Sequence, residues 1–211
     1  ILGRMDMIVA AGGGERDVPV DLAILNAYVK SNAGPAFLNE RLMNDLRPTL
    51  FLAQLSNLLA GNIAIVHGVC GTSRTFMGEE AASIDAARIA LARIESGQSE
   101  IALVGAAHNG ERSDLLVLYE FGDFNLKGTY APVWQREGHS GFALGSAGCF
   151  LVLESREHAE ARGAKPYARL TRVVADLAQR KQPGAVTKSL EAMWPKLGVA
   201  GDVGNLITGA T

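Results

Sequence analysis

Cysteine is scarce here: Cys70 and Cys149 are the only two in 211 residues. A single pair supplies no disulfide framework, which excludes a small cross-linked secreted scaffold and fits a reducing cytoplasm. Long apolar runs are missing too. The longest, near Ile101–Ala107, falls far short of the ~20 residues that a membrane-spanning helix needs. No signal peptide is visible. An excess of either charge is lacking, since 20 Lys and Arg face 22 Asp and Glu for a net charge of -2. That removes the basic footprint of a nucleic-acid binder. The four histidines, His67, His108, His139 and His158, have no H-x-x-x-H or C-x-x-C companions. A metal site is therefore not expected, and neither is a cofactor, a nucleic-acid partner or a membrane partner.

What is present is an ordinary globular composition, 48% hydrophobic and 20% charged. The length suits one domain with a substantial core, or two small ones. The chain opens on Ile-Leu-Gly and closes on Gly209-Ala210-Thr211, which reads as a fragment.

The apolar pattern predicts alternating elements. Met5–Ala11 is a buried strand running into Gly12-Gly13-Gly14. Helices follow over Pro19 to about Ser31 and Ala36 to about Leu46. Thr49–His67 reads as one helix, apolar on nearly every face and so buried all round, with Gly61 marking close packing. A short strand covers the residues after Gly71. Ser83–Ser96 is the clearest helix, with Ile84, Ala87, Leu91 and Ile94 on one stripe and Gly97 at its C′ position. Glu100–Ala107 is a buried strand, which completes a βαβ unit. Residues 110–138 read as irregular. Gly141–Gly145 and Cys149–Leu153 read as paired strands around a turn, Tyr167–Ala175 as a long strand, Thr187–Leu197 as a helix, and Asn205–Thr208 as the start of another strand. Ser155 caps a charged helix over Arg156–Arg162, stopped by Gly163.

Several features invite a chemical reading. The Gly12-Gly13-Gly14 turn lacks G-x-G-x-x-G spacing, and Glu15 and Asp17 would repel phosphate, so a tight turn is the better reading. His158 lies in a charged helix and is expected to be solvated. His108 and His139 fall in loops, either on the surface or lining a cleft. Cys70 precedes a strand, where no helix N-terminus would activate it, and Cys149 sits in a strand. Both are expected to be small, buried and inert. Glu79 and Glu80 stand at a helix start, where the terminal N–H groups favour carboxylates by roughly 0.3–1 kcal/mol.

The motifs around them give Glu80 a sharper meaning. Asn57-Leu58-Leu59-Ala60-Gly61-Asn62-Ile63-Ala64-Ile65 resembles an N-M-x-A-G-x-(I/L)-(A/S/T)-I helix, and Gly71-Thr72-Ser73-x-Thr75 a G-P-S-x-(S/T) strand. Gly141-Phe142-Ala143-Leu144-Gly145-Ser146-Ala147-Gly148 resembles G-F-V-L-G-D-G-A. Leu151-Val152-Leu153-Glu154 and Glu157-His158-Ala159-x-x-Arg162-Gly163-Ala164-Lys165-x-Tyr167-Ala168 resemble L-V-L-E and E-H-A-x-x-R-G-A-x-x-Y-A. Together these motifs, over roughly residues 48–170, resemble the β-ketoacyl-acyl-carrier-protein synthases, condensing enzymes of the thiolase-like superfamily.

The resemblance implies an α/β, thiolase-like layered α-β-α-β-α fold, represented by a partial chain. Residues 1–170 would be the N-terminal thiolase-like half with its start missing and a nucleophile elbow at residue 80. Residues 171–211 would begin a truncated C-terminal half. In this family the nucleophilic cysteine comes nine residues after the glycine of G-P-S; nine residues after Gly71 stands Glu80. The family's N-A-H-G-T-(S/T) would fall on about Ile207–Thr211, where Gly209 or Ala210 replaces the decarboxylating histidine. His108 and Phe142 are the substrate-binding candidates. The expected partners are an acyl carrier protein and a second synthase subunit, as homodimer or heterodimer. The expected role is a non-condensing, chain-length-factor-like partner in fatty-acid or acyl-chain biosynthesis. Two alternatives remain open: an acyltransferase or malonyl decarboxylase working without the cysteine, and a non-enzymatic binding module on the same fold.

Overall fold

The structure, a computed structural model, describes residues 1–14, 16–78, 81–136, 141–179, 182–198, 205 and 207. In chain order the elements are β1 (Asp6–Ala11), α1 (Val18–Ser31), α2 (Pro35–Asp45), α3 (Pro48–Ala53), α4 (Leu58–His67), β2 (Ser73–Met77), α5 (Ala82–Glu95), β3 (Ile101–His108), α6 (Ser113–Phe121), β4 (Ala147–Glu154), α7 (Arg156–Ala161) and α8 (Ala185–Met193). They fall into two compact units. The first contains Ile1–Ala11, Leu59–Ala106 and the described chain from Gly148 onward; the second contains Gly12–Leu58 and Ala107–Ala147.

The first unit holds a four-stranded sheet in the order β2-β1-β3-β4. β1 runs parallel to β2, with Met7 opposite Ser73 and Ala11 opposite Met77, and parallel to β3, with Asp6 opposite Ala102. The βαβ unit expected between residues 73 and 108 therefore exists, but its strands flank β1 instead of pairing with each other. β3 and β4 run oppositely, since the Ser155 N–H reaches Glu100 O while Gly105 lies against Cys149 and Phe150.

β1 is buried on both faces, as expected of an almost wholly apolar strand in the middle of a parallel sheet. Met5, Met7 and Val9 meet Val69, Ile101 and Ala60, with Leu59, Ile63 and Ala64 of α4 packed alongside. Ile8 points the other way, into a cluster with Ala102, Val104 and the α5 alanines Ala86 and Ala90. The result is a helix–sheet–helix sandwich. In the second unit α1 and α2 form an adjoining pair, each with proline in its first turn, where a missing N–H costs nothing. At the triple glycine, a Cβ on Gly14 would come within 1.6 Å of Ala53 O, so this turn is a site of close backbone approach.

Several expectations are corrected. Thr49–His67 is not one buried helix: α3 and α4 are separated at residues 54–57, Ala60 is the one buried residue of α4, and Ile65 and Val66 are exposed. A uniformly apolar stretch carries no signal of which face packs, and that of α4 is only partly covered. A Cβ on Gly61 would meet nothing beyond its own helix within 4 Å, so Gly61 marks no close packing. Residues 113–121 are helical; their apolar residues are consecutive rather than periodic, which hid the helix. Gly141–Gly145 does not pair with the following strand; among the described residues Phe142 makes one isolated bridge to Asn125, while Ala147–Glu154 lies beside β3. Tyr167–Ala175 has strand-like composition but pairs with no strand among the described residues, and is irregular. Both cysteines are exposed, not buried. The expected strand at Asn205–Thr208 lies mostly outside the described residues.

Candidate functional site

The segment that carries the motif spacing joins β2 to α5 in the first unit. Its approach is fixed by the backbone. A Cβ on Gly71 would come within 2.3 Å of Met5 O, so glycine alone lets β2 enter beside β1. Gly78 follows β2 with φ +138°, a conformation open to glycine and strained for any other residue. Glu79 and Glu80 lie outside the described residues. The chain resumes at Ala81, in a helical conformation, and α5 starts at Ala82. The buried residues of α5 are Ala82, Ala86 and Ala90, one step of four residues apart. The expected stripe is corrected accordingly: Ala87 and Ile94 reach the core margin, but Ile84 is exposed. Small side chains let the helix axis approach the sheet closely.

Sequence reasoning missed the group that ties these elements together. Asp6 is buried, and Oδ1 accepts the Thr72 N–H at 2.9 Å while Oδ2 accepts from Arg93 Nη2 at 3.0 Å and Nε at 3.2 Å. Burial pushes the Asp6 carboxyl up, but hydrogen bonds from Thr72, Ser99 and Arg93 outweigh it and hold the group below the usual carboxylate range. The Ser99 hydroxyl has one proton and also lies 3.2 Å from Ile101 O, so it serves one acceptor at a time. An aspartate inside an otherwise apolar strand, Met5-Asp6-Met7-Ile8, was the available signal.

The Glu154 to Arg162 motif also resolves into a contact. Arg162 donates two bonds to Glu154, Nε to Oε1 at 2.6 Å and Nη2 to Oε2 at 2.7 Å, and His158 Nδ1 meets the same carboxylate. This arrangement, led by Arg162 and opposed by burial, pulls the Glu154 carboxyl down to about 2. His158 is thus half-buried and partnered, not solvated; Ser155 caps its helix by accepting the His158 N–H.

The other candidates belong to the second unit. His108 closes β3 and is exposed. Phe142 is half-buried in a ring cluster, edge-on to Tyr119 at 5.0 Å and stacked with Phe124 at 6.4 Å. Among the described residues no hydrogen bond or ring contact joins His108 to Phe142. His139 lies outside the described residues. An open hollow of about 520 Å³ in this unit is lined by Leu126, Lys127, Thr129, Gln135 and Arg136, none of them a candidate. Its Arg136 is already committed to Ala131 O and Gly141 O. No group of three or more potential metal ligands occurs among the described residues, and no helix there is long and apolar enough to cross a membrane.

The comparisons agree with the geometry. Residues 3–159 match the family model "Beta-ketoacyl synthase, N-terminal domain". The chain therefore belongs to the β-ketoacyl synthase family, and its architecture is the α/β thiolase-like one expected from the motifs. It is 30% identical over 144 residues to the 3-oxoacyl-[acyl-carrier-protein] synthase 2 of Vibrio harveyi, a match covering 65% of this chain and 34% of the relative. The solved ishigamide ketosynthase/chain length factor is similar with a TM-score of 0.56 and 23% identity, over 78% of this chain and 38% of that one. The AntDE:AntF complex, a type II PKS acyl-carrier protein with its ketosynthase bound to the hexaketide, is similar with a TM-score of 0.54 and 22% identity, over 78% and 42%. The chain thus spans about a third of the length of the curated relative it matches.

Proposed function

We propose that this protein is a ketosynthase-like component of acyl-chain biosynthesis that does not itself carry out cysteine-dependent condensation, and that it works as the non-condensing partner of an active synthase. The observation that carries the reading is Glu80, nine residues after Gly71, where the family's motif spacing places the nucleophilic cysteine. Condensation requires a thiolate that holds the acyl chain as a thioester. A carboxylate at the same point would form a mixed anhydride, which water destroys. Gly209 or Ala210 at the place of the decarboxylating histidine would also remove a donor for the enolate. A negative residue 80 beside a malonyl carboxylate disfavours decarboxylation without the cysteine.

The partner role is supported by family membership together with a fold shared with a ketosynthase/chain length factor assembly. An acyl carrier protein is the expected carrier of the substrate, in line with the complex among the structural neighbours. His108 and Phe142 are proposed to bound the acyl-binding region.

The test is incubation with a radiolabelled acyl-acyl-carrier-protein, followed by denaturation. No label is expected to stay on the chain; label that survives denaturation sinks the proposal. Co-purification from the native host should recover a second synthase that keeps the nucleophilic cysteine. Recovery of a homodimer alone would reject the partner role.

A further inference from the structure

We propose that Asn109–Gly110 is a site of spontaneous deamidation, and that Ser146 holds the reaction back while the chain is folded. Nothing in this depends on residue 80 or on the partner role.

The sequence supplies the reactive pair. Asn109–Gly110 is the one Asn-Gly step in the chain. With no side chain on the second residue, its amide nitrogen reaches the asparagine carboxamide with the least hindrance. Packing demands that glycine: a Cβ at residue 110 would come within 2.6 Å of Gly145 O. A bulkier, less reactive follower is therefore closed off. The pair stands just after β3, with Asn109 exposed and Gly110 buried.

The chemistry is intramolecular. The Gly110 nitrogen gives up its proton and attacks Asn109 Cγ. A C–N bond forms there, the carboxamide C–N bond breaks, and ammonia leaves with that proton. The cyclic succinimide is then opened by water at either carbonyl. One opening yields aspartate. The other yields isoaspartate, in which the main chain runs through the former side chain. Water is the only co-reactant, and Asn109 is exposed to it. Both products carry a negative charge that asparagine lacks.

The folded loop engages both reacting groups. The Gly110 N–H donates to Ser146 Oγ at 3.0 Å, so the nucleophile keeps its proton and its peptide plane is fixed. The Ser146 hydroxyl donates onward to Asn109 Oδ1 at 3.2 Å, and the Glu111 N–H donates to the same oxygen at 3.0 Å. The side chain is thus held in the local turn that asparagine favours, facing the amide two residues on. Donors on Oδ1 alone would polarise the carbonyl and favour attack. Attack still needs the nitrogen's electron pair, which stays within the amide while the proton is held. Ser146 therefore ties nucleophile and electrophile into one clasp, and ring closure waits for the clasp to open. Aspartate can renew it with its own carboxylate oxygen. Isoaspartate adds a carbon to the main chain and draws Gly110 away from Ser146.

The test incubates the whole chain at neutral to mildly alkaline pH. Peptide mapping by mass spectrometry counts the replacement of NH2 by OH at residue 109, and isoaspartyl methyltransferase labelling counts the isoaspartate. Ser146→Ala is expected to deamidate about fivefold faster than the parent, the factor that one hydrogen bond of ordinary net strength represents. Ser146→Thr keeps a hydroxyl and is expected to stay near the parent rate. Hydrogen exchange separates the clasp from global stability: Ser146→Ala should speed exchange at the Gly110 amide and leave the β3 amides unchanged. An equal rate in Ser146→Ala and the parent overturns the inference. So does a slower one, which would make the hydroxyl a proton relay that promotes the reaction. If Ser146→Ala does not fold, the parent in guanidinium chloride below its unfolding transition decides. Deamidation is then expected to rise in step with exchange at Gly110; a rate that follows global unfolding overturns the inference.

Discussion

At the scale of single residues, two groups outside the expected site make the sharpest predictions. Glu154 has its carboxyl held at about 2 against a usual 4.5, chiefly by Arg162. A depressed acid stabilises the fold fully above its unfolded value and loses that contribution as pH falls through its folded value. Glu154→Gln should therefore lower the melting temperature at neutral pH, and the gap from the parent should shrink as pH drops from about 4.5 toward about 2. Thermal melts of the two proteins across that window check it; a gap independent of pH would contradict the assignment. Gly71 makes the second prediction. A methyl group there would meet the Met5 carbonyl at 2.3 Å, and backbone cannot step aside as a flexible side chain can. Gly71→Ala should cost about 2–4 kcal/mol in urea unfolding, whereas Gly61→Ala, with open space around it, should cost nothing or stabilise its helix.

At the scale of elements, α5 against the sheet is the most constrained contact. Ala86 is fully buried between the helix and Ile8, Ala102 and Val104. Ala86→Leu should destabilise by about 1–3 kcal/mol, measured by chemical denaturation, because the extra methylenes must push helix from sheet. Ile84→Ala, on the exposed side of the same helix, should change stability little. This pair of outcomes also shows what the sequence could convey. The existence of α5 was legible from its caps and period, with Gly97 at φ +71° ending it as expected. Its buried face was not, because hydrophobicity favours Ile84 and Leu91, while close approach to a sheet favours alanine. β1 was legible as an apolar run broken by Asp6 alone. Its neighbours were not, since pairing joins residues far apart in sequence. Residue 80 could be singled out only through motif spacing; nothing in a glutamate at a helix start separates a lost nucleophile from an ordinary cap.

At the scale of the molecule, the apolar surface stands out. Phe150, Leu151 and Val152 of β4 are 37%, 53% and 53% exposed, on consecutive positions and hence on both sides of the strand. Apolar residues on a strand at the margin of a sheet favour association. The isolated chain should show a scattering mass that rises with concentration, and Leu151→Lys should reduce that rise. An identical rise in the variant would place the sticky surface elsewhere.

The central position of β1 has a consequence for how the molecule is made. Asp6 and its partner Thr72 are 66 residues apart, and the pairing of β1 with β3 reaches further still. A ribosome delivers Met7, Ile8 and Val9 long before either neighbouring strand exists. For that interval the most apolar segment of the core is an open ribbon with both edges bare. Contacts this remote in sequence slow folding and prolong exposure of unpaired edges. The nascent chain is therefore most open to misassociation from the emergence of β1 until β3 pairs with its second edge.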